Sequence, residues 1–176
     1  HRSFVETLAY ATGIFDGKCR IVEVAPMRNL QRFFLLQNCN YTSFDLERFA
    51  MEKGDITAMR YEDNSVDYFL ALHVLEHIPA EEKALQEIRR VLRPGGAAIL
   101  QVPVFLDVPE TYEYDKPDPR ETGHVRRYGR DLAKRLTESG FDVTEVGVED
   151  FLPAEIIERY RMGRAPFYLC RKPETS

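Results

Sequence analysis

No apolar run in this chain of 176 residues approaches the eighteen or so needed to cross a bilayer, which argues against a membrane-spanning segment. No secretory signal peptide is visible, so the expected compartment is cytoplasmic. Cysteine is scarce and odd in number: Cys19, Cys39 and Cys170 lie far apart with no CxxC pair. That excludes a disulfide framework and a zinc knuckle. Internal repeats and low-complexity segments are absent, and so is a GxGxxG run, which argues against a dinucleotide-binding oxidoreductase. The net charge of −5 argues against a dedicated nucleic-acid binder and leaves room for a local basic patch. The chain starts at His1 rather than Met, which points to a longer parent. Its length fits one domain, 1–176, able to bury roughly 70% of its unfolded surface.

What is present concentrates between Gly54 and Pro103, GDITAMRYEDNSVDYFLALHVLEHIPAEEKALQEIRRVLRPGGAAILQVP. Two apolar strands, near 67–72 and 97–102, flank a helix with both ends marked. Pro79 and two glutamates, Glu81 and Glu82, open it; Arg89, Arg90 and Arg93 fill its last turn before Pro94-Gly95-Gly96. Ala84, Leu85, Ile88, Val91 and Leu92 share one face, so the helix packs on something. Strand, crossover helix and strand are half of a nucleotide-binding α/β sheet.

Elsewhere RIVEV at 20–24 reads as the first strand, and Leu30, Phe33 and Phe34 mark a helix after it. Strands follow at 40–44 and at a brief third segment ending with Asp55 and Ile56. A helix starts near Asp131, and two closing strands lie at 142–148 and 166–171. Residues 1–18 are expected to form an N-terminal helical segment. The stretch 104–128 has little periodicity and is expected to be a substrate or lid loop.

The candidate chemistry lies at strand ends. Glu23, Asp45 and Asp55 would point toward the crevice where the strand order reverses. His73, Glu76 and His77 share a face if the turn after the fourth strand is helical, and His124 could join them. Packing support of the loop is the reading adopted for Glu76 and His77, with no metal expected. His73, directly after the fourth strand, and His124 are the general-base candidates. Arg126, Arg127 and Arg130 form a basic patch suited to an anionic group on a small-molecule substrate.

The segments DxxxMxYEDNSVD, HVLEHI and RRVLRPGG resemble class I S-adenosylmethionine-dependent methyltransferases, above all their small type 11 branch. The resemblance covers roughly 20–148. It implies a Rossmann-like three-layer α/β sandwich with a mostly parallel seven-stranded sheet, order 3-2-1-4-5-7-6, last strand antiparallel. It also implies S-adenosylmethionine as cofactor and methyl transfer to a small-molecule acceptor through oxygen, nitrogen or carbon. By resemblance Asp45 holds the ribose hydroxyls with Leu46 beside it. Asp55 and the Ile56 backbone meet the adenine, Glu23 orders the first loop, and the Leu72 backbone and His73 face the methyl end. The chain departs from the family in that first loop, Val24-Ala25-Pro26-Met27, where glycines are expected and none stands. A domain that kept the fold but serves as a non-catalytic binding or regulatory protein is therefore the alternative.

Overall fold

The structure, a computed structural model, describes residues 14, 19–37, 39–46, 49–150, 153–159 and 165–174. The N-terminal helical segment expected over 1–18 thus lies outside the described residues, apart from Ile14, which is buried.

In chain order the elements are β1 (Arg20–Val24), α1 (Arg28–Leu36), β2 (Asn40–Asp45), β3 (Glu52–Lys53), β4 (Val66–Leu72), α2 (Glu81–Val91) and β5 (Leu92–Gln101). They continue with β6 (Tyr112–Asp118), β7 (His124–Arg127), α3 (Leu132–Glu138), β8 (Asp142–Val146), α4 (Ala154–Arg159) and β9 (Phe167–Arg171). Seven strands make one sheet in the order β3-β2-β1-β4-β5-β9-β8, and β6 and β7 form a separate hairpin. Pairing is parallel from β3 through β5; β9 runs antiparallel to both β5 and β8. Counting sheet strands alone, this is the expected 3-2-1-4-5-7-6.

Alternation along the strands builds the three layers. Val22, Val24, Phe69, Ala71, Ala98 and Leu100 pack with Ala84, Leu85 and Ile88 of α2 and Leu132 and Leu136 of α3. Ile21, Tyr41, Leu70, Leu72 and Ile99 pack on the other side with Leu30 and Phe34 of α1 and Ile157 of α4. Strands apolar on both faces are what a sheet covered on both sides requires.

Three sequence expectations are corrected in detail. First, α2 stops at Val91, not at Pro94, and Leu92 to Gly96 is already extended. Arg93 therefore leaves the helix and ion-pairs with Asp67, whose other oxygen accepts the Arg20 N–H at 2.7 Å. Gly95 takes φ +74°, and a Cβ on Gly96 would sit 2.9–3.2 Å from the carbonyl oxygens of Arg93, Asp67 and Val66. The two glycines thus allow β5 to close against β4, which is the physical content of RPGG. Second, the third strand is shorter than expected; Asp55 and Ile56 follow it in a turn.

Third, the stretch read as an aperiodic loop holds the β6–β7 hairpin, with Tyr112 opposite Arg127 and Glu113 opposite Arg126. Its tip is built from Asp118, which accepts the Arg120 N–H at 2.9 Å, and from Thr122 and Gly123 at φ +57° and +87°. The YEDNSVD segment turns out to be scaffold. Arg90 of α2 donates to the carbonyls of Tyr61 (2.9 Å) and Met59 (3.1 Å) and pairs with Asp63 and Glu87, both at 2.6 Å.

Candidate active site

The carboxyl ends of β1, β2 and β4 converge on a cavity of about 160 Å³. Of the strand-end candidates Asp45 and His73 line it, as do Ala25, Leu46 and Ile56 from the resemblance, together with Val24, Gly54, Val74, His77 and Ile78. Apolar walls with one carboxylate at the edge suit a ligand that is part flat and apolar, part hydroxylated.

The loop between β1 and α1 shapes one wall. Ala25 takes φ +48°, the left-handed conformation for which glycine is favoured, and its N–H donates to the Phe44 carbonyl at 2.9 Å. An alanine therefore makes the turn that the family makes with glycine. Below the loop Glu23 is buried, accepting the Met27 N–H at 3.2 Å and the Tyr41 hydroxyl in a short hydrogen bond. Burial raises its carboxyl from 4.5 to about 7, against the lowering effect of those two donors. The acid in an apolar strand thus has its partners, and it ties the loop to β2.

Glu23, Pro26, Leu72 and Asp55 do not line the cavity themselves. Leu72 is a buried strand end beneath it, and Glu23 acts through the loop. Asp55 folds back to accept the Thr57 N–H and hydroxyl, both at 2.8 Å, and lines a small neighbouring recess with Phe44 and Tyr61.

The turn after β4 is a single 3₁₀ turn, Leu75–His77, not an α-helical one. His73 adopts φ +58°, and its Nδ1 lies 3.3 Å from Glu76 Oε1. Glu76, His77 and His124 come together, and the rings of His77 and His124 meet edge to face with centroids 4.9 Å apart. His124 stands behind His77 and does not line the cavity. His77, read from sequence as packing support of the loop, lines the cavity.

The basic patch is largely spent on structure. Arg126 is buried and donates to the carbonyls of Leu75 (2.6 Å), Ile78 (2.7 Å) and Pro79 (3.2 Å), with Glu113 at 3.1 Å on its Nε. It cannot also grip a substrate anion. Arg127 stacks over the Phe105 ring at 3.8 Å, and Arg130 alone of the three is exposed. Tyr128 is buried too, hydrogen-bonded to Glu81, which also pairs with Arg135. No helix among the described residues is long and apolar enough to cross a membrane.

Comparison with known proteins agrees with this geometry. Residues 19–100 match the family model described as a methyltransferase domain. The sterol 24-C-methyltransferase of Yarrowia lipolytica is 29% identical over 167 residues, spanning 77% of this chain and 42% of that protein. A sterol 4-C-methyltransferase of Caenorhabditis elegans is 32% identical over 130 residues, 70% of this chain and 36% of that one. The chain spans less than half the length of these curated relatives.

Among solved structures, the 1,6-didemethyltoxoflavin-N1-methyltransferase of Burkholderia thailandensis, with bound S-adenosylhomocysteine, superposes with a TM-score of 0.67 at 18% identity. That match covers 98% of this chain and 77% of the other. The cyclase SpnF superposes at 0.61 and 17% identity over 96% and 82%, a likeness of fold alone. Strand order and matched segment lead to one conclusion: residues 19–100 match the methyltransferase-domain family, and the chain has the fold of class I S-adenosylmethionine-dependent methyltransferases.

Proposed function

We propose that the crevice binds S-adenosylmethionine and that the domain transfers its methyl group to a small-molecule acceptor. The observation that carries this reading is the lining of the 160 Å³ cavity by Ala25, Asp45, Leu46, Ile56 and His73 at the strand ends of the switch point. The donor set fits the group. Asp45 offers a carboxylate for vicinal ribose hydroxyls. Val24, Leu46 and Ile56 offer apolar surface for a purine, and the Ala25 turn lets the backbone approach.

When bound, the cofactor supplies an electrophilic methyl on a sulfonium. The chain's own residues position and deprotonate. Glu23 and Met27 fix the loop against β2 and so set the width of the crevice. His73 stands at the mouth with Nδ1 toward the Glu76 carboxylate, an arrangement that keeps the proton on Nδ1 and makes Nε2 the acceptor nitrogen. Nε2 would take a proton from an oxygen or nitrogen nucleophile; a carbon nucleophile that forms a cation would give one up later. His124, which does not line the cavity, leaves the base role to His73. Sterol methyltransferases among the relatives favour a small organic acceptor over nucleic acid.

The alternative, a non-catalytic binding or regulatory domain, rests on the glycine-free loop. Against it stands Ala25, whose φ keeps the turn open to a ligand. Calorimetry with S-adenosylmethionine tests the two. Micromolar binding that weakens at least ~10-fold in Asp45→Ala, the loss of one charge-assisted bond of about 1.5–3 kcal/mol, supports the enzyme. Absence of heat at millimolar cofactor favours the alternative.

A further inference from the structure

We propose that Glu76, His77 and His124 form a binding site for one borderline divalent cation of the zinc type, at the rear of the crevice. One ligand-capable atom from each residue lies within 4.8 Å of the other two. Two imidazoles and a carboxylate are the donor set that zinc, cobalt and manganese take, whereas magnesium and calcium prefer oxygen alone.

A second observation is independent of that cluster. Glu76 is 1% exposed, and its Oε2 is buried with no hydrogen-bond partner among the described residues. An unanswered carboxylate oxygen away from water costs free energy, so such a group needs an explanation. The other oxygen, Oε1, is taken up by His73 Nδ1 at 3.3 Å. A cation accepted at the cluster answers the orphan.

The surroundings suit the assignment. Glu121 Oε2 lies 3.7 Å from His124 Nδ1 and is itself held by the Tyr114 hydroxyl at 2.9 Å. A carboxylate that closes from there onto Nδ1 would leave the other nitrogen's lone pair for the ion, the usual support of a metal-binding histidine. The nearby cation, Arg126, is answered by Glu113 and spends its Nη hydrogens on the carbonyls of the same turn. Four-coordinate ligands at about 2.1 Å from the ion stand about 3.4 Å apart, so the side chains close by roughly 1 Å on binding. Exposed His77 has room for that movement. Three protein ligands leave at least one coordination position open. Because His77 also lines the crevice, that position adjoins the place where an acceptor would sit. The site itself does not depend on methyl transfer, and its test is separate from cofactor binding.

The test is titration of the tag-free full chain with Co²⁺, followed by visible absorption, without cofactor. Expected is one Co²⁺ per chain with the d–d bands of a four- or five-coordinate ion, displaced by Zn²⁺. His124→Ala and Glu76→Gln should each weaken it at least ~10-fold, the loss seen even for residues that merely orient a ligand. Far-UV circular dichroism checks folding of both, and if the buried Glu76→Gln chain misfolds, the surface-accessible His77→Ala takes its place. Bands that never appear at millimolar Co²⁺ overturn the proposal. So does unchanged affinity in the folded variants, or a thiolate-to-cobalt charge-transfer band placing the ion at the interacting Cys19 and Cys39.

Discussion

Arg126→Ala should be the most destabilising single change on the hairpin. The guanidinium is 2% exposed and holds three main-chain carbonyls, those of Leu75, Ile78 and Pro79, at 2.6–3.2 Å. A hydrogen bond from a charged donor contributes about 1.5–3 kcal/mol net, and a buried acceptor left alone costs about 1–3 kcal/mol. These terms do not add, since removal of the charge also removes its own desolvation penalty. The Glu113 partner is half-exposed, so its ion pair adds at most about 1 kcal/mol. The expected loss is about 3–5 kcal/mol, against a total stability of roughly 5–15 kcal/mol for a domain. Arg126→Lys, whose single ammonium cannot span three carbonyls, should lose about half as much. Urea denaturation followed by far-UV circular dichroism measures all of these. Because the turn carries His77 and Ile78 of the crevice wall, the Lys variant should also bind cofactor more weakly. A loss below about 1 kcal/mol in Arg126→Ala, equal to that in Glu113→Ala, would refute the carbonyl argument and leave only a surface ion pair.

Glu23 predicts a pH dependence. Its folded pKa of about 7 lies above the ordinary 4.5, so the folded chain keeps a proton that the unfolded chain releases. The associated stability is complete below pH 4.5 and is lost as pH rises through 7, a change of about 3 kcal/mol. Glu23→Gln should flatten the urea midpoint across that window; an unchanged slope would contradict the assignment. At Ala25, relief of left-handed strain by glycine, about 1–2 kcal/mol, is offset by added freedom of the unfolded chain, so Ala25→Gly should be neutral or up to about 1 kcal/mol more stable. Ala25→Val should cost at least about 1 kcal/mol more than alanine, because a β-branched side chain suits positive φ least. Thermal melts of the two variants compare them directly.

Much of the frame was legible from residue pattern. Continuous apolar strands and a helix with acids first and arginines last set β4, α2 and β5, and strand ends located Asp45 and His73 at the crevice but not Glu23 or Asp55, which do not line it. What stayed hidden has physical causes. The strand Tyr112–Asp118, YEYDKPD, is exposed on both faces and carries a proline, so it shows no period to read. Arg126 reads as a solvated base because sequence does not reveal three carbonyls converging on it from a turn fifty residues earlier. The Glu76–His77–His124 grouping was legible as residues, but the 3₁₀ form of its turn was not, since no hydrophobic pattern marks that difference over three residues. The resemblance supplied the roles of the strand-end acids; position alone supplied their location.

Crystals grown with S-adenosylhomocysteine put the central claim to its most direct test. The account predicts electron density for the nucleoside between Ala25 and Ile56, with both ribose hydroxyls on the Asp45 carboxylate. Density elsewhere, or a main chain from Ala25 to Asn29 drawn across the crevice with no nucleoside inside, would contradict it.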